Sequence, residues 1–537
     1  MILVPTDEQK VAIGVVIENQ FTKLNAFAGC SKTTTLTMVA EELCVPSLYL
    51  AYNKAMADEA KNKFPSWVTV KTTHALAFGV HGRALVDKLK RPSGAYENVC
   101  GTGSEIARYF RVPALTVKIG GLNKIVVTSA GIGRAIRETV NAFEYSADEE
   151  LAFKHISHTA VKDKDDVNPT MLSEYRRVVL ETSKRLWKLR INVNSNILAT
   201  HDTYLKLYQL SKPDLSGYEI LYLDEGQDTN ECVLDIILRQ TKPKIVVVGD
   251  QFQQIYQFRG SVNAMQNLPF KESALTQSFR FGQAIADIAN AVLSHDGSIE
   301  TNLRGWDKVN SKVVDVFKEE DAKFTYTVLY RTNMALVLDA VHYLSKGKRV
   351  NLEIDVKDFV KLLESAMELK NGNMPGVKHD ELLPYTSWFD FSEEVAGKGS
   401  ELARVHTIIT DGDFFKVVGM LKTQKNVDHP DIILTTAHKS KGREFDVVVL
   451  ASDFPSVYNN KGEWCGLHEA ERNLLYVAVT RARKLLVTNK TVRDILERLH
   501  IPREELAVVN KMFDEMIGKM VNELEQDMQH QSDDIFG

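Results

Sequence analysis

The stretch Ala26-Phe27-Ala28-Gly29-Cys30-Ser31-Lys32-Thr33-Thr34 lies between a short β-prone run over residues 23–27 and a helix-like run over 36–43. No other feature of the chain limits its fold as strongly. A strand, a tight loop and a helix in that order aim several backbone N–H groups at one point, which suits a phosphate chain. Lys32 then has the reach for terminal phosphates, and Thr33 offers a hydroxyl to Mg²⁺. The pattern departs from G-x-x-x-x-G-K-[ST] at both glycine positions, Ala26 and Ser31, so an ordinary polar turn stays open on this segment alone. Ser31 is the consequential departure, because a side chain there opposes positive φ.

Similar apolar, β-branched runs recur at residues 47–52, 220–223 and 244–248, and again at 326–330, 432–435, 447–450 and 485–487. Each is followed by Gly, polar residues or a helix-like segment, as at the carboxyl ends of parallel strands. Two parallel-sheet units explain both sets, and the long interruptions between their strands read as mainly helical insertions. The expected division is 1–76 with 201–275, an insertion at 77–200, then 276–345 with 430–495, and an insertion at 346–429. Residues 496–537 form a helical extension with an acidic tail, since residues 506–521 keep helical apolar spacing and residues 501–537 carry three basic against nine acidic side chains.

Composition excludes several alternatives. With 44% hydrophobic and 26% charged residues, most of the 537-residue chain is expected to fold. No run approaches the roughly 18–20 apolar residues of a membrane span, which points to an intracellular protein without a membrane partner. The five cysteines are dispersed and form no C-x-x-C motif, so a zinc knuckle or iron–sulfur cluster has no ligand set. A net charge of −5 neither predicts nor forbids a local basic groove.

Two further strand ends carry chemistry. Leu223-Asp224-Glu225-Gly226-Gln227-Asp228 sets acidic residues after an apolar strand, where Asp224 can hold Mg²⁺ and Glu225 can activate water; a helix cap is the bland alternative. Gly249-Asp250-Gln251-Phe252-Gln253-Gln254-Ile255-Tyr256-Gln257-Phe258-Arg259 offers Gln254 as a phosphate sensor. Tyr256 and Phe258 can reach bases and Arg259 phosphate, unless the aromatic pair is an internal plug.

These segments together resemble the superfamily 1A DNA helicases of the UvrD/Rep type, and among them the helicase core of the F-box DNA helicases, over about residues 1–495. The resemblance implies an α/β fold of two RecA-like parallel-sheet P-loop motor domains with inserted, mainly helical subdomains. It implies ATP and Mg²⁺ as cofactors. Pro5-Thr6-Asp7-Glu8-Gln9 resembles the adenine-recognition segment, with Gln9 on the base and the loop Ala28, Gly29, Cys30, Ser31, Lys32, Thr33 and Thr34 on the phosphates. Gln277-Ser278-Phe279-Arg280 is similar to the first motif of the second motor domain, which puts Phe279 on adenine and Arg280 on the γ-phosphate. Glu444 is implied on the ribose. Arg481, in Tyr476-Val477-Ala478-Val479-Thr480-Arg481, is implied as the arginine finger.

For nucleic acid, the resemblance implies Asn53, Thr73, His74, Tyr256, Phe258, Arg259, Arg331, Asn333, His438 and Lys439. Catalytic roles fall to Lys32, Glu225, Gln254, Arg280 and Arg481, and metal binding to Thr33 and Asp224. Taken singly, His74 reads as a capping residue, Arg280 as a surface ion pair and residues 435–445 as a basic turn. The implied activity is ATP-dependent 3′-to-5′ translocation on single-stranded DNA with unwinding, in recombination, repair or replication. Partners would be single-stranded DNA, DNA junctions and a single-strand-binding or recombinase protein, with a functional monomer and a cytoplasmic, nucleoid or nuclear setting. An RNA or RNA–DNA helicase and an ATP-responsive clamp without stepping are the rival readings. Neither a nuclease arrangement after Arg483 nor an F-box before Thr6 is expected.

Overall fold

The computed structural model describes residues 4–90, 99–118, 124–158, 169–257, 260–295, 302–317, 324–395 and 401–499. Phe258, Arg259, the polar stretch 159–168 and residues 500–537, with the expected C-terminal helices and tail, lie outside the described residues.

Fourteen strands are described: β1 Phe21–Ala26, β2 Ser47–Ala51, β3 Val68–Thr72, β4 Leu115–Lys118, β5 Lys124–Val127, β6 Ile220–Leu223, β7 Lys244–Gly249, β8 Lys271–Leu275, β9 Lys312–Val314, β10 Tyr326–Tyr330, β11 Val350–Leu352, β12 Ile432–Thr436, β13 Phe445–Leu450 and β14 Ala482–Val487. Twelve of them build two six-stranded sheets, ordered β3-β2-β6-β7-β1-β8 and β11-β12-β10-β13-β14-β9. Every pairing within both sheets is parallel. The central strands are covered on both faces; all four residues of β6 are buried. That is why they read as unbroken apolar runs.

Between β3 and β6 lie the helices Gly103–Phe110, Ser129–Tyr145 and Pro169–Ile191, around a separate core that includes Ile106, Ile136, Phe143, Tyr175 and Leu186. This insertion also contains the antiparallel hairpin β4–β5, which its helical reading did not include. Between β11 and β12 stand the helices Val356–Lys370, Trp388–Val395, Glu401–Asp411 and Phe414–Thr423, whose core is continuous with that of the second sheet. Strand β11 falls inside the stretch 346–429 yet pairs with β12, so the second sheet extends past residue 345.

The two insertions touch. Thr128 Oγ1 donates to the Leu383 carbonyl at 2.8 Å, Arg134 Nη1 donates to the Asp380 carbonyl at 2.8 Å, and Arg137 forms an ion pair with the Asp380 carboxylate. The sheets also share one apolar core, in which Leu24 and Val248 of the first sheet join Ile285, Tyr476 and Leu486. The carboxyl ends of the first sheet thereby face the helix Glu469–Val479, which leads into β14.

Candidate nucleotide and nucleic-acid site

Strand β1 ends at Ala26, and the helix Lys32–Leu43 begins one residue after Ser31. The turn between them needs two left-handed residues, Gly29 at φ 77° and Ser31 at φ 54°. A Cβ on Gly29 would lie 2.4 Å from Ser278 Oγ and 2.9 Å from Arg280 Cβ, so the crossover to the second sheet rests on the bare backbone. Phe279 N–H donates to the Gly29 carbonyl at 2.9 Å. Ser31 adopts the glycine-like conformation at a cost of about 1–2 kcal/mol. Its carbonyl is held by Thr35, through N–H at 3.0 Å and Oγ1 at 3.2 Å. Gln9 is buried against the same helix: Nε2 donates to Thr35 Oγ1 at 3.0 Å, and Oε1 accepts from Thr6 N–H at 3.0 Å.

The acidic turn follows β6, separated from β1 by β7. Glu225 takes φ 53°, which turns its carboxylate back toward the loop, where Lys32 Nζ donates to Oε1 at 2.7 Å. Asp224 accepts from the Tyr49 hydroxyl and, at 2.9 Å, from the Glu225 N–H; Tyr49 is also hydrogen-bonded to Thr33. Burial, reinforced by the Glu225 charge, pushes the Asp224 carboxyl up to about 6. Burial acts the same way on Glu225, but the Lys32 and Lys441 ammonium groups outweigh it and hold that carboxyl low. Asp224, Glu225, Asp228 and Asp250 thus face two lysines, Lys32 and Lys441, and Asp224 itself is bonded to the Tyr49 hydroxyl, next to Thr33.

From the second sheet come the residues that close this cleft. Arg481 is 1% exposed; Nε donates to the Val477 carbonyl at 2.9 Å, Nη1 to the Arg443 carbonyl at 3.2 Å and Nη2 to Thr480 Oγ1 at 3.1 Å. Among the described residues no carboxylate forms an ion pair with it, and burial, then the nearby Arg280, lower its guanidinium to about 9. Arg280 donates through Nε to Glu444 Oε1 at 2.7 Å and through Nη1 to the Thr480 carbonyl at 3.0 Å. Lys32, Glu225, Asp224, Arg280, Glu444 and Arg481 thus converge.

Three residues without an assigned role complete the group. Tyr476 is fully buried; its hydroxyl accepts from Ala28 N–H at 3.1 Å and donates to Asp250 Oδ2 at 2.9 Å. Asp250 in turn accepts from Gln253 Nε2 at 2.8 Å. Lys441 reaches across the cleft to the Asp228 carboxylate, to the Gln253 carbonyl at 2.6 Å and to within 4.0 Å of Glu225 Oε2. The sensor expected at Gln254 is not bonded into this network. Gln254 Nε2 donates to the Ser261 carbonyl at 3.2 Å, and Oε1 accepts from Gln257 Nε2 at 2.9 Å, because the 3₁₀ turn ends at Gln253 and Gln254 continues as extended backbone at φ −73°, ψ 102°. Gln253 is the glutamine that bonds Asp250. Asp250 carries a sequence signal, as an acid directly after strand β7; Tyr476 and Lys441 are found only once the sheets are apposed.

A second cleft of about 670 Å³ opens beside this one, with Gln254, Tyr256, Arg331, Asn333, His438 and Lys439 on its walls. Tyr256 stacks on Tyr52, ring centroids 6.2 Å apart and planes at 14°, and donates to the His438 carbonyl at 3.1 Å. The Lys441 ammonium lies 5.4 Å from the Tyr256 ring centre, so one lysine touches both clefts. Arg331 is already held by Glu471, Nη2 to Oε1 at 2.5 Å and Nε to both oxygens at 3.2 Å. Asn53 is exposed and caps the helix Lys54–Lys61. Thr73 and His74 line a smaller pocket with Tyr52, Asp224 and Asp228, and His74 Nε2 lies 3.1 Å from Asp202 Oδ1.

Comparison with known proteins follows this geometry. The family model for the UvrD/REP helicase N-terminal domain matches residues 6–269, and that for the UvrD-like helicase C-terminal domain matches residues 141–492. The chain is 33% identical over 526 residues to F-box DNA helicase protein 1 of Schizosaccharomyces pombe and 30% identical over 533 residues to F-box DNA helicase 1 of Gallus gallus. Each alignment covers 91% of this chain but only 57% and 49% of those proteins, so the chain spans about half their length. A probable DNA helicase of Mycoplasma pneumoniae is 26% identical over 304 residues, 54% of this chain and 47% of that protein. No helix among the described residues is long and apolar enough to cross a membrane. With two parallel sheets joined across one apolar core, and with family models spanning residues 6–492, the chain belongs to the UvrD/Rep helicase family.

Proposed function

We propose that the protein is an ATP-dependent DNA helicase that translocates on single strands, 3′ to 5′, in recombination, repair or replication. The observation that carries this is the apposition of Lys32–Glu225 on the first sheet with Arg280 and Arg481 on the second, beside a cleft walled by Tyr256 and His438. We assign the motor domains to 1–76 with 201–275 and 276–345 with 430–495, and the inserted subdomains to 77–200 and 346–429, with β11 returned to the second motor. Single-stranded DNA, DNA junctions and a single-strand-binding or recombinase protein are the proposed partners, and a compartment holding DNA the proposed setting.

In this mechanism Lys32 leaves Glu225 for the terminal phosphates of ATP, and Glu225, so released, accepts a proton from the attacking water. The fit of Thr33 and Asp224 to a cation rests on their shared neighbour Tyr49 and on the excess negative charge at the acidic turn. A magnesium ion held there supplies neutralisation of phosphate charge. Arg481 is already desolvated and, among the described residues, has no carboxylate partner, so it gives up bonds to the Val477 and Arg443 carbonyls and the Thr480 hydroxyl, and no ion pair, to meet an anion. Arg280 exchanges Glu444 for phosphate, which leaves Glu444 for the ribose. Gln253, through Asp250 and Tyr476, links the phosphate loop to the second motor; we assign it the coupling role expected of Gln254.

Nucleic acid enters as a single strand because the second cleft offers an aromatic face at Tyr256, backed by the stacked Tyr52, rather than a rigid reading surface. The test is ATP turnover and strand displacement on matched DNA and RNA substrates. DNA-stimulated turnover with displacement supports the proposal; turnover only with RNA, or DNA retention without displacement, overturns it in favour of an RNA helicase or a static clamp.

A further inference from the structure

Glu8 belongs to none of the roles above, yet it is among the most heavily bonded carboxylates of the protein. It lies in the first turn of the helix Asp7–Glu18, one residue before Gln9. Its Oε2 accepts from Thr276 N–H at 2.8 Å and Gln277 N–H at 3.2 Å, and its Oε1 accepts from Thr276 Oγ1 at 2.5 Å and Arg304 Nη2 at 2.5 Å. Four donors on one carboxylate make a clamp, and charge-assisted bonds of this kind are the stronger class.

The clamped segment is the first crossover between the two sheets. Thr276 follows directly on β8, and three residues later Phe279 donates to the phosphate loop at Gly29. Arg304 holds the opposite side of the same segment by backbone bonds, donating to the Thr276 carbonyl at 2.9 Å and accepting from Ser278 N–H at 2.8 Å. The Arg304 loop also carries Trp306, whose ring meets Phe279 edge-on at 5.5 Å between centroids and so fixes how the Phe279 face is presented. Glu8 therefore ties the segment bearing Gln9 to the segment bearing Phe279 and, through Arg304, to the brace behind Phe279.

We propose that Glu8 is a positioning residue for the nucleotide base: its carboxylate sets the spacing between Gln9 and Phe279 and thereby the selection of adenine. This rests on the assignment of those two residues to the base. It predicts an effect centred on ligands that carry a base, because Glu8 bonds neither Lys32 nor the phosphate loop directly and meets the loop only through the Phe279 N–H on Gly29.

The experiment compares equilibrium binding of ATP, GTP and inorganic tripolyphosphate, each with Mg²⁺, to the full chain and to Glu8→Gln and Arg304→Gln. Glu8→Gln keeps the side-chain size but loses the charge, and Arg304→Gln loosens the clamp from its other side. Both variants are expected to bind ATP about tenfold more weakly, to bind tripolyphosphate as the parent does, and to distinguish ATP from GTP less well. Equal weakening of ATP and tripolyphosphate, or no weakening of either, in variants whose thermal unfolding matches the parent, overturns the proposal. Lys32→Ala separates this from the site assignment itself: if the parent binds none of the three, or Lys32→Ala binds tripolyphosphate undiminished, it is the nucleotide site that has been misplaced, whatever Glu8 does.

Discussion

The two clefts are built on opposite principles although Lys441 touches both. In the nucleotide cleft the charges are buried and already arranged: Lys32 on Glu225, Lys441 on Asp228, and Arg481 sequestered among carbonyls. In the neighbouring cleft the contact surface is aromatic and half-exposed, and its arginine, Arg331, is neutralised by Glu471. Buried, preorganised charge favours one geometry and one reaction, as bond cleavage requires. Exposed rings and a paired arginine suit the proposed strand, a ligand gripped and released repeatedly. Chemistry and grip should therefore fail separately when mutated.

The sharpest break is Lys32→Ala, expected to lower ATP turnover by about 10³-fold and to weaken phosphate binding, while nucleic-acid binding without nucleotide persists. Steady-state turnover and strand-binding titrations on the same sample check this; loss of both functions together would mean the clefts are not separable. Next is Glu225→Gln, which keeps volume and removes the base. Single-turnover cleavage should fall by about 10²–10³-fold with ATP·Mg²⁺ affinity retained, and Asp224→Asn should show the reverse emphasis. Wild-type cleavage in both would remove the acidic turn from the mechanism.

On the grip side the effects are smaller. Tyr256→Ala should cost about 1–3 kcal/mol of strand affinity and reduce unwinding per ATP, with basal hydrolysis intact. Tyr256→Phe keeps the ring and loses only the bond to His438, so its behaviour tells stacking from loop positioning. Glu471→Gln frees Arg331 and should tighten strand binding severalfold, with a salt slope steeper by about one. An unchanged slope would identify Arg331–Glu471 as architecture. The least effect is expected of Ser31→Gly, which removes left-handed strain in both the free and bound loop; nucleotide affinity should stay within about threefold of the parent. A gain of tenfold or more would show that Ser31 itself limits the site.

The same contrast explains what was legible in the sequence. Central strands such as Ile220–Leu223 and Tyr326–Tyr330 are covered on both faces and announce themselves as apolar runs. The edge strands β3 and β8 do not, since Val68–Thr72 alternates and Lys271–Leu275 carries exposed Lys and Glu. At the site, Lys32, Asp224 and Glu225 follow strand ends and could be read locally. No local pattern separates Gln253, which bonds Asp250, from Gln254, which bonds Ser261, because the difference arises where the 3₁₀ turn ends and extended backbone begins. Tyr476 and Lys441 act on partners 448 and 213 residues away in sequence, a distance no local pattern spans.

The contact between the insertions has a mechanical consequence. First sheet, first insertion, second insertion and second sheet are joined in a closed circuit, shut at one side by Arg137–Asp380 and Thr128–Leu383 and at the other by Lys441–Asp228. In a closed linkage no joint turns alone. Any change in the spacing of the two sheets must be matched by sliding or release where Thr128 and Arg137 meet the second insertion, so under the proposed motor cycle a contact far from Lys32 registers closure of the cleft as displacement.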